Sequence, residues 1–500
     1  MKLKIKQYLD REKWLIICVV LIAVAAYGYM VFNFALTGDE EREMVLGTEF
    51  AANLELPLGR YGQWLFRLFF MAGMCFTPGY GDLLAVAFLA LSAIVWCSNF
   101  EYMYKKRVPL IAKCIFCGIY MTVPYATAAI MCYTFINASS MLAILCVSIA
   151  VRLIVVSFDS DNKKNKYILM LIALVLETHA LSTYQAHASD IILASVVCIF
   201  ISIYCDSKLD LKSIVKHILI FIGIFVVSFL IYEIISKIIG TSGYTDAFIM
   251  WGTDSFGNLT KKLFSSIADL YNNSKTIGGR YLLITVVLFY ISIIINAVFN
   301  KNIRYRILYI FIGILILPAA YAVSIALGGM THLATHTAVL LMAGFMWFHI
   351  ITTVRLKYLN YVLIACAVIL TLRQVDLDNR IYYGASLMAQ LDMELGYNIG
   401  NDIYKVANTT NVAKPVVIVG KYRHQSPNII EIGMEGRSIF LRKNKYKINY
   451  LQYLGFKFKD ATEEQIAEAN EIANGMPLYP LEGSVIETDD LIIVNLSIFR

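Results

Sequence analysis

The amino-acid sequence predicts a mainly α-helical, polytopic membrane protein with about eleven transmembrane helices and a small α/β domain at its C-terminus. Apolar residues make up 59% of the 500 positions and charged residues only 16%, with a mean hydropathy of +0.64. These values lie well outside the range of soluble globular proteins. Long stretches contain no Asp, Glu, Lys or Arg, among them 14–38, 114–151, 281–300 and 307–354. Because about 20 apolar residues cross a hydrocarbon core, the longest of these stretches must hold two spans each.

The predicted architecture divides the chain into two parts. Residues 1–373 form a transmembrane domain with outer loops at 37–81 and 239–280. Residues 374–500 form the C-terminal domain, because charged residues are concentrated after Arg373. The spans are predicted at residues 14–36, 82–99, 108–125, 137–156, 167–183, 186–204, 218–238, 281–299, 307–326, 337–352 and 358–373.

Basic residues set the predicted orientation of these spans. Lys and Arg cluster before the first span and in the short loops at 105–107, 163–166, 208–216, 301–306 and 355–357. Because Lys and Arg are enriched in cytoplasmic loops, the N-terminus is predicted to be cytoplasmic and residues 374–500 to lie across the membrane. These loops account for the net charge of +7, which therefore indicates contact with anionic lipid rather than with nucleic acid.

Three consecutive acids, Asp39, Glu40 and Glu41, follow the first span. Carboxylates at the C-terminus of a helix oppose its macrodipole, so they cost stability unless another gain offsets them. A catalytic role and a solvated loop start are both consistent with the sequence. Farther along this loop, residues 64–78 are apolar and aromatic except for Arg67 and are predicted to lie on the outer surface as an amphipathic helix. A second such helix is predicted over 259–271.

Other polar residues lie near the outer ends of predicted spans. Ionisable groups at such positions are functional candidates, because burying them in lipid is costly, although a histidine in the wetter interface is ordinary. His332 and His336 are spaced to share a helix face, but the sequence offers no third ligand for zinc. Cys114 and Cys117 have metal-site spacing, yet inside an apolar helix they are better explained as small packing residues. The remaining polar positions are Glu177, His179, Tyr184, Gln185, His187 and Asp190.

The C-terminal part has the pattern of a compact α/β unit. Residues 386–407 are helix-like, and 415–420 form a Val- and Ile-rich strand. Thr462-Glu463-Glu464-Gln465 is a capping box that predicts a helix to about Asn474. Residues 484–487 and 491–496 are predicted to form a terminal hairpin. The basic run 442–447 is consistent with a solvated face or with contact to phosphate groups.

Several short motifs occur in an order that resembles the bacterial serotype-converting O-antigen glucosyltransferases, the Gtr family. The likeness extends over the whole chain, and Tyr61 stands where that family usually has Trp. The residues that carry it are Tyr8-Leu9-Asp10-Arg11-Glu12-Lys13, Asp39-Glu40-Glu41, Gly59-Arg60-Tyr61-Gly62, Tyr184-Gln185-Ala186 and Met476-Pro477-Leu478-Tyr479-Pro480-Leu481-Glu482-Gly483-Ser484.

The resemblance implies an enzyme of GT-C type in the bacterial inner membrane. It would transfer glucose on the periplasmic side from undecaprenyl-phosphate glucose to a sugar hydroxyl of the O-antigen, with the C-terminal domain also periplasmic. No nucleotide site is needed, because the activated sugar arrives attached to lipid. Membrane lipids are the other partner that this implies.

The same resemblance suggests roles for individual residues. An acceptor hydroxyl needs a base, and a departing lipid phosphate needs a cation or hydrogen-bond donors. We assign the base to Asp39 or Glu40, which point about 100° apart if helical, so that one faces the acceptor. No metal ligand is assigned, and a divalent cation as cofactor stays open. The supporting candidates are Glu41, Tyr184 and Gln185, and the phosphate-binding candidates are Arg60 first, then His332, His336 and Arg280.

Two other classes of protein compete with this interpretation. A transporter or flippase of lipid-linked saccharides would use Glu177, His179 and Asp190 as coupling groups. Such proteins commonly contain inverted repeats and broken helices in corresponding halves, and the sequence contains neither. A non-enzymatic assembly or sensor protein would use its C-terminal domain to bind a partner, and the acids would be structural.

Overall fold

The computed structural model describes most of the chain. Its described residues are 2–33, 35–36, 40, 45, 47, 49, 53, 55–73, 77, 79–205, 211–241, 247–272, 278–299, 303–431 and 436–496. The helices are α1 (Lys2–Phe32), α2 (Tyr61–Phe70), α3 (Tyr80–Tyr104), α4 (Leu110–Thr122), α5 (Pro124–Met131), α6 (Asn137–Phe158), α7 (Lys163–Thr183), α8 (Ala188–Cys205), α9 (Leu211–Ile239), α10 (Phe256–Asn272), α11 (Gly279–Val298), α12 (Ile303–Ala320), α13 (Ala322–Leu327), α14 (Ala338–Thr353), α15 (Lys357–Ala407), α16 (Asn444–Tyr453) and α17 (Glu463–Ala473). The strands are β1 (Val416–Val419), β2 (Val485–Glu487) and β3 (Ile492–Asn495).

The multi-pass prediction is confirmed. Among the described residues, nine helices are long and apolar enough to cross a membrane, or ten if α4 and α5 form one span bent by 52°. The bend falls at Pro124, which cannot donate the hydrogen bond that would continue a straight helix. The eleventh predicted span, 337–352, corresponds to α14, which has only 16 residues and is almost wholly buried. A helix surrounded by protein is apolar for the same reason as one in lipid, so composition alone cannot distinguish the two.

Helix α15 links the bundle to the C-terminal domain without a break. It contains 51 residues, which corresponds to about 75 Å at 1.5 Å per residue. About 20 residues suffice for a span, so the remainder extends the helix beyond the apolar part. The predicted boundary at 373/374 lies inside this helix.

The C-terminal domain contains the predicted elements. Its three strands are ordered β1-β3-β2, with β1 parallel and β2 antiparallel to β3. The β2–β3 pair is the predicted terminal hairpin. The capping box at the start of α17 is also confirmed, because Thr462 accepts a hydrogen bond from the Gln465 amide while Gln465 accepts one from the Thr462 amide. The buried residues of β1 and β3 form the centre of this domain.

The two predicted amphipathic helices are present as α2 and α10. Helix α2 is shorter than the predicted stretch, and Arg67 does not face solvent as a surface helix would allow. Its side chain is among the largest fully buried ones in the described structure.

Connections that are far apart in sequence meet at one end of the bundle, which we call the site end. Glu40 contacts Thr134, and Gln185 donates a hydrogen bond to the Leu58 carbonyl at 2.8 Å. Leu36 packs against the apolar core of the C-terminal domain. The loop after α1, the α5–α6 turn, the α7–α8 turn and the C-terminal domain therefore lie together.

The opposite end of the bundle is held by a buried ionic network. The Lys113 ammonium on α4 lies 2.5 Å from Glu12 on α1 and 3.0 Å from Glu101 on α3. Arg11 pairs with both acids at the edge of the network. Two cations and two carboxylates neutralise each other, which allows charge to be buried between three helices.

Candidate active site

The turn between α5 and α6 holds two carboxylates at the site end. The Thr134 amide and hydroxyl both donate to Glu40 Oε1, at 2.7 and 2.5 Å. Three residues later, the Asn137 amide nitrogen donates to Asp82 Oδ1 at 2.7 Å, and the Gly79 amide donates to Asp82 Oδ2 at 3.3 Å. Both carboxylates are buried. One short turn therefore fixes two acids that are 42 positions apart in the sequence.

Of the three consecutive acids, Glu40 lies within the described residues, whereas Asp39 and Glu41 lie outside them. The structure therefore bears on the base assignment only through Glu40. Its carboxylate is close enough to Tyr453 of α16 for the two charges to interact. Burial raises the pKa of Tyr453, and the neighbouring negative charges raise it further. The C-terminal domain thus borders the acidic loop.

A buried ion pair joins the first outer loop to α2. Arg67 Nη2 donates to Glu55 Oε1 at 2.6 Å, and the same nitrogen reaches the Phe135 carbonyl of the α5–α6 turn at 3.4 Å. Burial raises the pKa of Glu55, while the charges of Arg67 and Arg60 oppose that rise. Arg67 therefore links α2 to the turn that holds Glu40 and Asp82.

The Gly-Arg-Tyr-Gly motif packs directly against the start of the α7–α8 turn. A Cβ atom on Gly62 would lie 2.5 Å from Ser182 Oγ and 2.7 Å from the Thr183 amide nitrogen, so only glycine fits this close approach. A Cβ on Gly59, whose φ is +73°, would lie 2.8 Å from the Tyr232 hydroxyl. The two glycines explain why the motif can approach α7 and α9 so closely.

This packing brings together residues of two motifs that the resemblance named. The Arg60 guanidinium lies over the Tyr184 ring, 4.8 Å from its centroid. Gln185 donates from its amide nitrogen to the Leu58 carbonyl and to the Tyr232 hydroxyl, both at 2.8 Å. Arg60 also occupies the N-cap position of α2, where backbone N–H groups and the helix dipole favour an anion. Tyr184 and Gln185 thus position the segment that presents Arg60.

The other candidates for phosphate contact differ from one another in exposure. His332 is exposed, with its ring edge-on to Tyr133 at 6.0 Å. His336 is buried, and its two ring nitrogens lie 2.6 Å from the Tyr125 hydroxyl and 3.1 Å from Thr331 Oγ1. Burial lowers the pKa of His336 to about 4, so the ring is neutral at neutral pH and supplies no positive charge. Arg280 is exposed at the start of α11.

The remaining polar positions form two buried pairs inside the bundle. His187 Nδ1 lies 2.8 Å from Asp190 Oδ2, which also accepts a hydrogen bond from Thr337 at 2.6 Å. Glu177 faces Ser228 at 3.5 Å. These contacts tie α8 to the residue before α14 and α7 to α9, so they have a structural explanation.

No group of three His, Cys, Asp or Glu side chains is placed to hold a metal ion within the described ranges. Cys114 and Cys117 pack within the helix bundle: Cys117 is buried, and its sulfur lies 3.5 Å from that of Cys97. The mechanism proposed below therefore includes no step through a metal.

Sequence reasoning missed four residues of this centre: Asp82, Thr134, Asn137 and Glu55. An acid in the first turn of an otherwise charge-free span was the available signal for Asp82. Thr134 and Asn137 lie in an apolar run of small residues and carry no sequence signal. Their importance comes from the α5–α6 bend, which only the structure shows.

Comparison with known proteins identifies the family. The model of the family described as Glucosyl transferase GtrII matches residues 28–354, more than half of the chain. The chain belongs to this family. The match contains Glu40, the Gly59–Gly62 motif and Tyr184–Ala186, and it ends before the Met476–Ser484 segment. No curated protein and no solved structure gives a significant match.

Membership of the GtrII family supports glucosyl transfer as the activity of this multi-pass protein. It agrees with the family resemblance inferred from the motifs. The match also coincides with the part of the chain in which Glu40, Asp82 and Arg60 gather at the site end of the bundle.

Proposed function

We propose that the protein transfers a glucosyl group from undecaprenyl-phosphate glucose to a sugar hydroxyl of the O-antigen. The reaction would take place at the periplasmic face of the bacterial inner membrane, with the N-terminus cytoplasmic and the C-terminal domain periplasmic. The observation that carries the proposal is the joint placement of a buried acid, Glu40, and a helix-capping cation, Arg60, at one end of a multi-pass GtrII-family bundle.

In the proposed reaction, the acceptor hydroxyl oxygen attacks C1 of the glucosyl group. The bond between C1 and the phosphate oxygen breaks, and its electron pair leaves with undecaprenyl phosphate. The hydroxyl proton passes to a carboxylate of the first outer loop, Glu40 or Asp39. Thr134 supports Glu40 in this role, because two donors on Oε1 fix the orientation of the carboxylate.

Arg60 is proposed to bind the phosphate of the donor. A guanidinium forms strong charge-assisted hydrogen bonds with phosphate, and the N-terminus of α2 adds a favourable dipole. The contact to Tyr184 holds the guanidinium at the α7–α8 turn. His332 and Arg280, both exposed, stay as secondary contacts. His336 is proposed to shape the site through its hydrogen bonds rather than by charge.

The transporter alternative is less well supported by the contacts inside the bundle. It needs Glu177, His179 and Asp190 as groups that exchange partners during transport. Asp190 instead bridges His187 and Thr337, and Glu177 is buried against Ser228. These pairs connect neighbouring helices in one fixed packing.

The test is transfer from labelled undecaprenyl-phosphate glucose to O-antigen by the purified full-length protein. The variants are Glu40→Gln, Asp39→Asn and Arg60→Gln, with Asp376→Asn as the control, because Asp376 is an exposed acid on α15. Removal of the base is expected to lower transfer by about 10²- to 10⁴-fold. Loss of Arg60 is expected to raise KM for the donor.

The outcomes separate the alternatives. Loss of transfer in Glu40→Gln or Asp39→Asn, with normal folding and an active control, supports the proposal and identifies the base. Wild-type rates in both acid variants would remove these acids from the mechanism. Absence of transfer by the wild-type protein, together with movement of labelled donor across a vesicle membrane, would favour the transporter.

A further inference from the structure

A narrow cleft lies beside Glu40, between the ends of α1, α3 and α5 and the face of α15. Its lining includes Asn33, Asp82, Thr134 and Tyr382, together with apolar atoms of Met30 and Met131. Thr134 is the residue that holds Glu40, so the cleft and the proposed base share one wall. The cavity volume is about 20 Å³, which is enough for one water-sized group.

Asp82 is a carboxylate with hydrogen-bonding capacity to spare in this cleft. It is 2% exposed and accepts one hydrogen bond at each oxygen, from Asn137 and from the Gly79 amide. A carboxylate offers about four lone-pair positions, so these two bonds leave about two positions open. Neither partner carries a positive charge. A buried carboxylate without a cation is costly unless it serves a ligand or a reaction.

Tyr382 provides the second, independent observation. Its side chain is 3% exposed, and its hydroxyl has no hydrogen-bond partner within the part of the chain that the structure describes. Most buried hydroxyls in folded proteins are paired, because an unpaired one loses its bonds to water without compensation. The same hydroxyl can donate to and accept from a ligand in the cleft.

The lining selects the class of ligand. It contains no Lys or Arg, and Asp82 makes it negative, so a phosphate is disfavoured here. The positive group of the centre, Arg60, lies instead at the N-terminus of α2. A carboxylate, a tyrosine hydroxyl and methionine side chains suit a neutral hydroxyl carried on a partly apolar ring. Sugar hydroxyls have this chemistry.

We propose that the cleft receives one hydroxyl group of a reacting sugar, with Asp82 accepting a hydrogen bond from it and Tyr382 completing its coordination. This inference rests on the proposed glucosyl transfer and extends it to the residues that position the sugar. The hydroxyl belongs either to the acceptor or to the glucosyl group of the donor, and the two sources share the same chemistry. Asp82 would then be a sugar-binding residue beside the base.

The test compares Tyr382→Phe and Asp82→Asn with wild type in the full-length protein, varying donor and acceptor concentrations separately. Tyr383→Phe and Asp376→Asn are matched controls, because both residues are exposed on the same helix. A hydrogen bond to a charged group is worth more than a neutral one, so kcat/KM should fall by about tenfold to a hundredfold in Asp82→Asn. It should fall by about two- to tenfold in Tyr382→Phe.

Tyr382→Phe keeps the test decisive if Asp82→Asn fails to fold. The hydroxyl has no partner in the structure, so its removal should leave the melting temperature unchanged or raise it. Lower kcat/KM at full thermal stability then reports a contact with substrate. A rise in KM for the acceptor alone assigns the hydroxyl to the acceptor, and a rise for the donor alone assigns it to the glucosyl group.

Wild-type kinetics in Tyr382→Phe, together with wild-type kinetics in Asp82→Asn if that variant folds, would overturn the inference and leave the cleft as the place of a structural water only. This result is distinct from failure of the proposed function, in which the wild-type protein itself transfers no glucose. That second result would overturn the cleft assignment as well.

Discussion

Replacing Arg67 with methionine should be among the most damaging single changes outside the reacting groups. Arg67 and Glu55 are each 2% exposed, and their shortest N–O distance is 2.6 Å. Removal of one partner from a buried ion pair leaves an uncompensated charge and typically costs about 3–5 kcal/mol. Salt cannot screen a pair at this depth as it does on the surface. Arg67→Met should therefore lower the free energy of unfolding by about this amount.

The pH dependence of this variant follows from the sign of the pKa shift. Burial raises the pKa of Glu55, and Arg67 counteracts that rise. Without Arg67 the pKa rises further above its value in the unfolded chain, so protonation favours the folded state. The defect of Arg67→Met should therefore be largest above the folded pKa and shrink as the pH is lowered through it.

The assay is the melting temperature of the purified protein in detergent, measured across pH for wild type, Arg67→Met, Glu55→Met and the double variant. Replacing both partners by apolar side chains is often close to neutral, so the double variant should melt above Arg67→Met. Transfer should also fall in Arg67→Met, because α2 presents Arg60. A double variant that melts at the temperature expected from additive losses would refute the reasoning, as would a defect that grows on acidification.

Three further predictions concern the packing, the acid and the C-terminal domain. Gly62→Ala would place its Cβ 2.5 Å from a serine oxygen on α7 and should cost about 1–3 kcal/mol, seen as a lower melting temperature. Gly223→Ala, with no atom within 4 Å of its Cβ, is the control and should not destabilise the protein. Thr134→Val should lower transfer by about tenfold by removing one hydrogen bond to Glu40, and Thr134→Ser should retain activity; equal rates would contradict this role. Burial lowers the pKa of Lys447 from 10.5 to about 7, so the unfolded chain binds the extra proton between these values and the free energy of unfolding should rise with pH across that window. Lys447→Met should lose this rise in melting temperature, and a rise equal to that of wild type would contradict the assignment.

Part of the candidate site was predictable because short motifs carry it. Glu40, the Gly59–Gly62 segment and the Tyr184–Gln185 pair stand out in the sequence, and the structure places the last two in direct contact. Arg67 illustrates the limit of such reasoning. An arginine in an apolar stretch fits a surface helix, but a helical pattern does not identify a buried partner such as Glu55 twelve positions earlier.

The sequence by itself determined the membrane class, the approximate spans, the terminal hairpin and the family, because each depends on local composition or on residues close together in the chain. Tertiary structure decided that α14 is a short buried helix, that α15 continues past 373, and that Asp82 and Glu40 share one turn. These features depend on how helices rotate and bend against one another at Pro124. Hydropathy reports whether a residue avoids water, and it is the same whether lipid or protein surrounds that residue.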